Sequence, residues 1–162
     1  MQIDREHVKE TFRNYTAAYD LSDEKIKLKI DHTYRVAELC ERIARAEKLS
    51  AADVDLAWLL GMLHDVGRFE QLRRYGTFID VESVDHAALG ADILFGEGHM
   101  IRTYISGDTE DAVIETAIRV HSAYRIPESM TERTATLCHI LRDADKIDIL
   151  RVNVDVPLEE IY

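Results

Sequence analysis

An imidazole and a carboxylate stand side by side, as His64 and Asp65, directly after the apolar run Leu59-Leu60-Gly61-Met62-Leu63. Helical spacing places both side chains among apolar residues, so both are predicted to be buried. Burying an ionised carboxylate is costly unless it is paired or bound to a metal ion. A divalent ion would stabilise both residues at once. The alternative interpretation of the pair is an ordinary capped end of a helix.

Three further histidines lie on apolar faces of separate helical patterns: His32, His86 and His121. A fourth pattern, near the end of the chain, carries three carboxylates: Asp143, Asp145 and Asp148. Each histidine taken alone is more often a hydrogen-bonded core residue than a metal ligand. Hydrogen bonds and ion pairs within such a set cannot easily stabilise four buried histidines and several buried acids. The set therefore favours a metal site.

The order of these residues resembles that of the HD-domain superfamily of metal-dependent phosphohydrolases, over about Asp31 to Leu150. That family has a histidine, then a His-Asp pair, then a distal aspartate, and members with two metals add two histidines before the last aspartate. The matching residues are His32, His64, Asp65, His86, His121 and Asp145. Ser122 stands where similar signalling members often have another histidine, so the resemblance gives no support to a third metal or a cyclic-dinucleotide substrate.

The resemblance implies one or two divalent metal ions as cofactors. Histidine and carboxylate ligands without a thiolate suit iron, manganese, nickel, cobalt or zinc, and magnesium is a further option. If Asp65 bridges two ions, one of them is expected to be held by His32, His64, Asp65 and Asp145. The other is then expected to be held by His86, His121 and the second oxygen of Asp65.

Two aspartates compete for the position of the last ligand. Asp148 lies near the middle of the apolar face of its helical pattern, so periodicity alone does not choose between it and Asp145. The resemblance favours Asp145, which stands in the family's Ala-Asp-Lys setting. Asp148 is then expected to accept a hydrogen bond behind the ligands.

A phosphate group needs cations beyond the metals, and four basic residues stand near the ligands in sequence: Arg35, Arg68, Arg125 and Lys146. Arg35 follows His32 by one helical turn, and Arg68 follows the His-Asp pair where family members often place a basic residue. We expect Arg35 and Arg68 to act in catalysis with His64 and Asp65, and all four basic residues to bind substrate. The alternative for each is an exposed charge that contributes little.

Composition limits the class of protein. The 162 residues include 46% hydrophobic residues but only two prolines and seven glycines, which suits one compact helical domain. The net charge of −11 repels a phosphate backbone, so we expect no general nucleic-acid binding. Cys40 and Cys138 are expected to be reduced core thiols. With no signal core and no apolar run of about 18 residues, the protein is predicted to be cytoplasmic and not to bind a membrane.

The predicted fold is all-α: a compact single-domain helical bundle of the HD type over residues 1–162. Periodicity and caps predict helices over about 5–19, 24–48, 54–65, 86–95, 110–124 and 130–152. Ser22 or Asp23, Ser50, and Ser83 or Asp85 are the predicted caps. Val66-Gly67 is predicted to break the preceding helix, and residues 68–81 are predicted to be an irregular loop. The end after Pro157 is abrupt, and similar members continue with further helices, so the natural chain could extend past Tyr162.

Taken with the resemblance, the ligand set predicts a phosphohydrolase that acts on a small phosphoester, such as a nucleotide or a related phosphorylated metabolite. A di-iron oxygenase of the same superfamily is the alternative, because its ligand set is similar. A non-catalytic ligand-sensing module is a third possibility, which the intact ligand set disfavours. The sequence leaves the metal, the substrate and the oligomeric state open.

Overall fold

The computed structural model describes residues 2–157 and 161, and it confirms the all-α prediction. In that part of the chain every regular element is helical. A short 3-10 turn spans Asp80–Glu82. The α-helices are α1 (Arg5–Thr16), α2 (Glu24–Ala46), α3 (Ala51–Leu63), α4 (Val66–Tyr75), α5 (His86–Phe95), α6 (Ile101–Tyr104), α7 (Asp111–Val120) and α8 (Glu132–Asp155).

Polar side chains fix where three of the predicted helices begin. Asp23 accepts a hydrogen bond from the backbone N–H of Lys25, and Ser50 accepts one from that of Asp53. Asp85 accepts from the N–H groups that follow His86. Each cap satisfies N–H groups that the first helical turn leaves without a partner. The caps matter for the site because Asp85 sets the first residue of α5, which is His86.

Helix α3 forms the centre of the core, and from Leu56 onward it is apolar on every side. From Leu56 to Leu63 each of its residues is buried, as expected for a helix with no polar face. Helix α2 packs on α3 and α8, while α4 packs on α5, α5 on α7, and α7 on α8. The ends of α3 and α7 and the middle of α2 and α8 therefore meet in one region. None of the described helices is both long and apolar enough to cross a bilayer.

Two glycines allow the helices around this region to approach each other closely. A Cβ atom on Gly61 would lie 2.5 Å from the Cα of Ala37, so α3 and α2 touch through backbone there. A Cβ on Gly67 would lie 2.3 Å from the carbonyl oxygen of His86, which brings α4 against the start of α5. Any larger residue would have to separate these pairs of helices.

The prediction of an irregular segment over 68–81 is wrong for its first half. Residues Val66–Tyr75 form α4, because Gly67 packs against α5 instead of breaking the helix. The carboxylate of Glu70 also pairs with Arg73 and Arg74, three and four residues later, which supports a helix. Gly76, with a φ of 69°, ends it in the left-handed conformation that glycine adopts readily.

We expect Gly67→Ala to lower thermal stability and also to weaken binding of Mn²⁺, because the added methyl group forces α4 and α5 apart. Overpacking of this kind costs about 1–3 kcal/mol. Gly76→Ala is the matched control: it has open space but a positive φ, so it should cost about 1 kcal/mol and leave Mn²⁺ affinity unchanged. Thermal unfolding and calorimetric titration measure both effects. Equal Mn²⁺ affinity in Gly67→Ala and the wild type would contradict this account of the glycine.

Candidate metal centre

The six residues predicted to bind metal lie together, and all six are buried. They come from several elements, some of which end or begin at this point. His32 lies within α2 and Asp145 within α8. His64 and His121 directly follow the last residues of α3 and α7. Asp65 precedes α4, and His86 is the first residue of α5.

One group of ligand atoms consists of His32, His64, Asp65 and Asp145, whose atoms all lie within 4.8 Å of one another. The Oδ1 of Asp145 is 2.9 Å from the Nε2 of His32 and 3.3 Å from that of His64. The Oδ2 of Asp65 is 3.4 Å from each of the same two nitrogens. With metal–ligand bonds of about 2.0–2.2 Å, ligand atoms around one ion stand at comparable separations.

A second group forms on the opposite oxygen of Asp65. Its Oδ1 is 3.6 Å from the Nε2 of His86 and 3.5 Å from the Nε2 of His121. Those two nitrogens are 3.1 Å apart. Asp65 thus presents one oxygen to each group of histidines. This is the arrangement that a carboxylate needs if it is to bridge two cations.

Hydrogen bonds of the outward Nδ1 atoms determine the tautomers of His64 and His121. The Nδ1 of His64 donates to the carbonyl oxygen of Gly61, and the Nδ1 of His121 donates to that of Ile118, each at 2.7 Å. A carbonyl oxygen only accepts, so in the neutral ring the proton is on Nδ1 and a lone pair remains on Nε2. Lone pairs that face carboxylate oxygens repel them unless a proton or a metal ion lies between. The donor set therefore fits a metal centre.

The other two rings are oriented by carboxylates. The Nδ1 of His32 donates to Asp148 at 2.6 Å, and the Nδ1 of His86 donates to Asp80 at 2.7 Å. A carboxylate behind a histidine fixes its tautomer and makes its inner nitrogen a stronger ligand. The expectation that Asp148 accepts a hydrogen bond behind the ligands agrees with this geometry. Asp80 was missed, because it lies in a segment that the sequence predicts to be irregular, with no periodicity to indicate which way its side chain points.

The pKa values of the first group show how strongly its charges interact. Burial lowers the pKa of His64, but the carboxylates of Asp65 and Asp145 outweigh burial and raise it to about 10. Burial raises the pKa of Asp65, yet His64 and Lys29 bring it well below its usual range. In protein stripped of metal, His64 therefore carries a second ring proton at neutral pH, besides the one on Nδ1. That proton is on Nε2, the atom that would bind an ion.

The four predicted substrate cations lie in different surroundings. The Nε of Arg35 donates to Asp148 at 2.8 Å, so this residue acts on the carboxylate behind His32. The Nη1 of Arg68 donates to Asp80 at 3.0 Å, while the residue also lines a cavity beside the ligands. Arg125 and Lys146 are exposed and are not among the residues that line this cavity.

The cavity beside the ligands has a volume of about 110 Å³. His32 contributes to its lining, together with Lys29 and Arg68. Lys29 was not identified from the sequence. The spacing could have identified it, because Lys29 precedes His32 by three residues and so shares a face of α2 with that histidine.

Comparison with known protein families identifies the domain. The HD domain family model matches residues 30–150, which is most of the chain. Neither a curated protein nor a solved structure matches the chain significantly.

We expect Mn²⁺ binding to strengthen as pH rises, because an ion must displace the proton that Asp65 and Asp145 hold on His64. Protons compete more effectively at low pH, so the apparent affinity should rise about tenfold per pH unit near neutrality. Calorimetry in buffers with different ionisation enthalpies measures the proton release directly. An affinity that does not change between about pH 6 and pH 8, with no proton released, would contradict this prediction.

Proposed function

Since the chain belongs to the HD domain family, we propose that it is a metal-dependent phosphohydrolase that cleaves a small phosphoester with water. The HD domain implies a superfamily of metal-dependent, hydrolase-type proteins. The observation that carries the finer proposal is the position of Asp65, which faces one pair of histidines with each oxygen. The proposed substrate class is a small phosphorylated metabolite.

We propose that the cofactors are divalent ions, held by His32, His64, Asp65 and Asp145 on one side and by Asp65, His86 and His121 on the other. Such ions lower the pKa of water and stabilise the charge that develops on phosphate oxygens. Iron, manganese, nickel, cobalt and zinc all suit a set of histidines and carboxylates. The cluster contains no thiolate that would favour softer metals.

The chain's own residues hold the ligands in place and set their charge. Asp148 accepts from His32 and is itself paired with Arg35, so its negative charge is fixed behind the ring. Asp80 has the same relation to His86 and Arg68. Both outer carboxylates are held ionised, since their pKa values lie below the usual range although Asp148 is buried and Asp80 is partly buried. We propose that Arg35 and Arg68 affect catalysis through their ion pairs with Asp148 and Asp80.

We place the activity in the cytoplasm. Cys40 and Cys138 are both buried free thiols, and neither is paired in a disulfide. Free core thiols are typical of proteins in a reducing compartment.

Removing single ligands should change the number of bound ions in a graded way. We expect Asp65→Ala to lose both ions, because each group of histidines loses its carboxylate oxygen, whereas His86→Ala should lose one. His139→Ala is the control, since that histidine is exposed on α8. Elemental analysis after dialysis gives the metal content. Equal metal content in the wild type and Asp65→Ala would contradict the assignment.

The reaction itself is tested with phosphoesters in water labelled with ¹⁸O. We expect the metal-loaded protein to hydrolyse them with manganese or nickel, and the label to appear in the released phosphate because water attacks phosphorus. No side chain of the protein should become phosphorylated. Label found only in the alcohol product would contradict the mechanism. Oxygen consumption by the iron-loaded protein, with no phosphate released, would instead support the oxygenase.

A further inference from the structure

The geometry points to Lys29 and Arg68 as an anion-binding subsite at the metal end of the cavity, and to the apolar wall beyond them as a pocket for a compact, uncharged organic group. The inferred substrate class is a phosphomonoester whose organic part is small and apolar. This inference rests on the proposed function and narrows it. Neither the role of Lys29 nor the character of the pocket follows from the ligand set.

Lys29 places a weakly paired ammonium group beside the candidate metal centre. Its side chain is 12% exposed, and its Nζ lies 3.8 Å from the Oδ2 of Asp65, its ion-pair partner among the described residues. That distance is long for an ion pair, so Asp65 holds the ammonium only weakly. Once Asp65 shares its charge with divalent ions, little of that charge remains for Lys29. An ammonium so largely shielded from water is then stabilised by another anion.

Arg68 provides a second donor beside the same cavity. Its Nη1 is fixed by the carbonyl oxygen of Phe78, at 2.6 Å, and by Asp80. Its Nε is buried and has no hydrogen-bond partner among the described residues. An unsatisfied buried donor is costly, and a ligand oxygen would satisfy it.

The two cations are held close to each other by an aromatic ring. The Nζ of Lys29 lies 5.2 Å from the centroid of Phe78, and the Cζ of Arg68 lies 5.7 Å from it. Both distances are within the range of cation–π contacts. Since like charges repel, two cations around one ring beside a metal centre are stabilised by an anion that binds both.

The rest of the cavity lining is mostly apolar. Leu28, Phe78, Ile149 and Val152 contribute to it, and Asn153 adds one uncharged polar group. A cavity of about 150 Å³ admits benzene, so 110 Å³ accommodates a group no larger than one ring or a short aliphatic chain. The base and sugar of a nucleotide exceed this volume. Among the described residues of this lining, a second phosphate group would find no further cation.

Binding of inorganic phosphate to the Mn²⁺-loaded protein tests the subsite without requiring turnover. We expect Lys29→Met to keep its metal and to bind phosphate about tenfold or more weakly, because one charge-assisted hydrogen bond is lost. Lys27→Met is the matched control, since Lys27 lies on the same helix, is about half exposed and pairs with Glu24. Calorimetric titration measures phosphate affinity, and elemental analysis measures metal content. Should Lys29→Met not fold, Lys29→Gln serves as the second variant.

The outcomes separate the inference from the proposed function. If Lys29 were only the counter-ion of Asp65, Lys29→Met would change Mn²⁺ affinity and leave phosphate affinity unchanged, which would overturn the subsite. Phosphate binding that depends on Lys29 supports the subsite even if no phosphoester is hydrolysed, a result that would reject only the proposed function. Hydrolysis that proceeds while Lys29→Met binds phosphate like the wild type would reject only the inference.

The pocket is tested by filling it. We expect Ile149→Trp to raise the KM for phenyl phosphate about tenfold or more while phosphate affinity stays unchanged, because the indole takes the space of the organic group. Leu150→Trp is the control, since Leu150 is exposed and is not among the lining residues. The wild type should use phenyl phosphate with a higher kcat/KM than AMP or ATP. Preference for ATP, or an unchanged KM in Ile149→Trp, would overturn the pocket.

Discussion

The carboxylate of Asp65 has histidine nitrogens on both of its sides, and the surrounding structure depends on how that charge is balanced. The group is 3% exposed, so water cannot stabilise it. Each of its oxygens faces two Nε2 atoms at 3.4–3.6 Å. Hydrogen bonds to carbonyl and carboxylate oxygens place one proton on each outward Nδ1 atom, so in the neutral rings the inner nitrogens carry lone pairs. Cations between these atoms turn repulsion into attraction.

The fold places these side chains around Asp65 by ending several helices at the site. The chain passes from α3 to α4 at His64 and Asp65, and His121 directly follows α7. At such helix ends, some backbone N–H and C=O groups form no hydrogen bond within the helix. Gly61 and Gly67 let α2 and α5 approach this junction through backbone contacts. The ligands therefore stand on elements held by the apolar core, which keeps their separations fixed. A rigid set of ligands loses little entropy when it binds an ion.

The candidate ligands could be identified from the sequence, but only part of their surroundings could. His32, His86 and His121 could be found because each lies on an apolar helical face, and that periodicity is a local property of the chain. The choice between Asp145 and Asp148 needed the family resemblance, since both lie on the inner side of α8. Asp80 and the partners of Arg35 and Arg68 could not be found, because they depend on which segments pack together. Helix α4 was missed because Gly67 was interpreted as a helix breaker, whereas it packs against α5.

Anomalous X-ray diffraction from crystals loaded with Mn²⁺ tests the central claim most directly, namely that Asp65 joins two metal-binding groups. The account predicts two anomalous peaks on opposite sides of the Asp65 carboxylate. One should lie within bonding distance of His32, His64 and Asp145, and the other within bonding distance of His86 and His121. A single peak at saturating Mn²⁺, or a second peak that Asp65 does not contact, would contradict it.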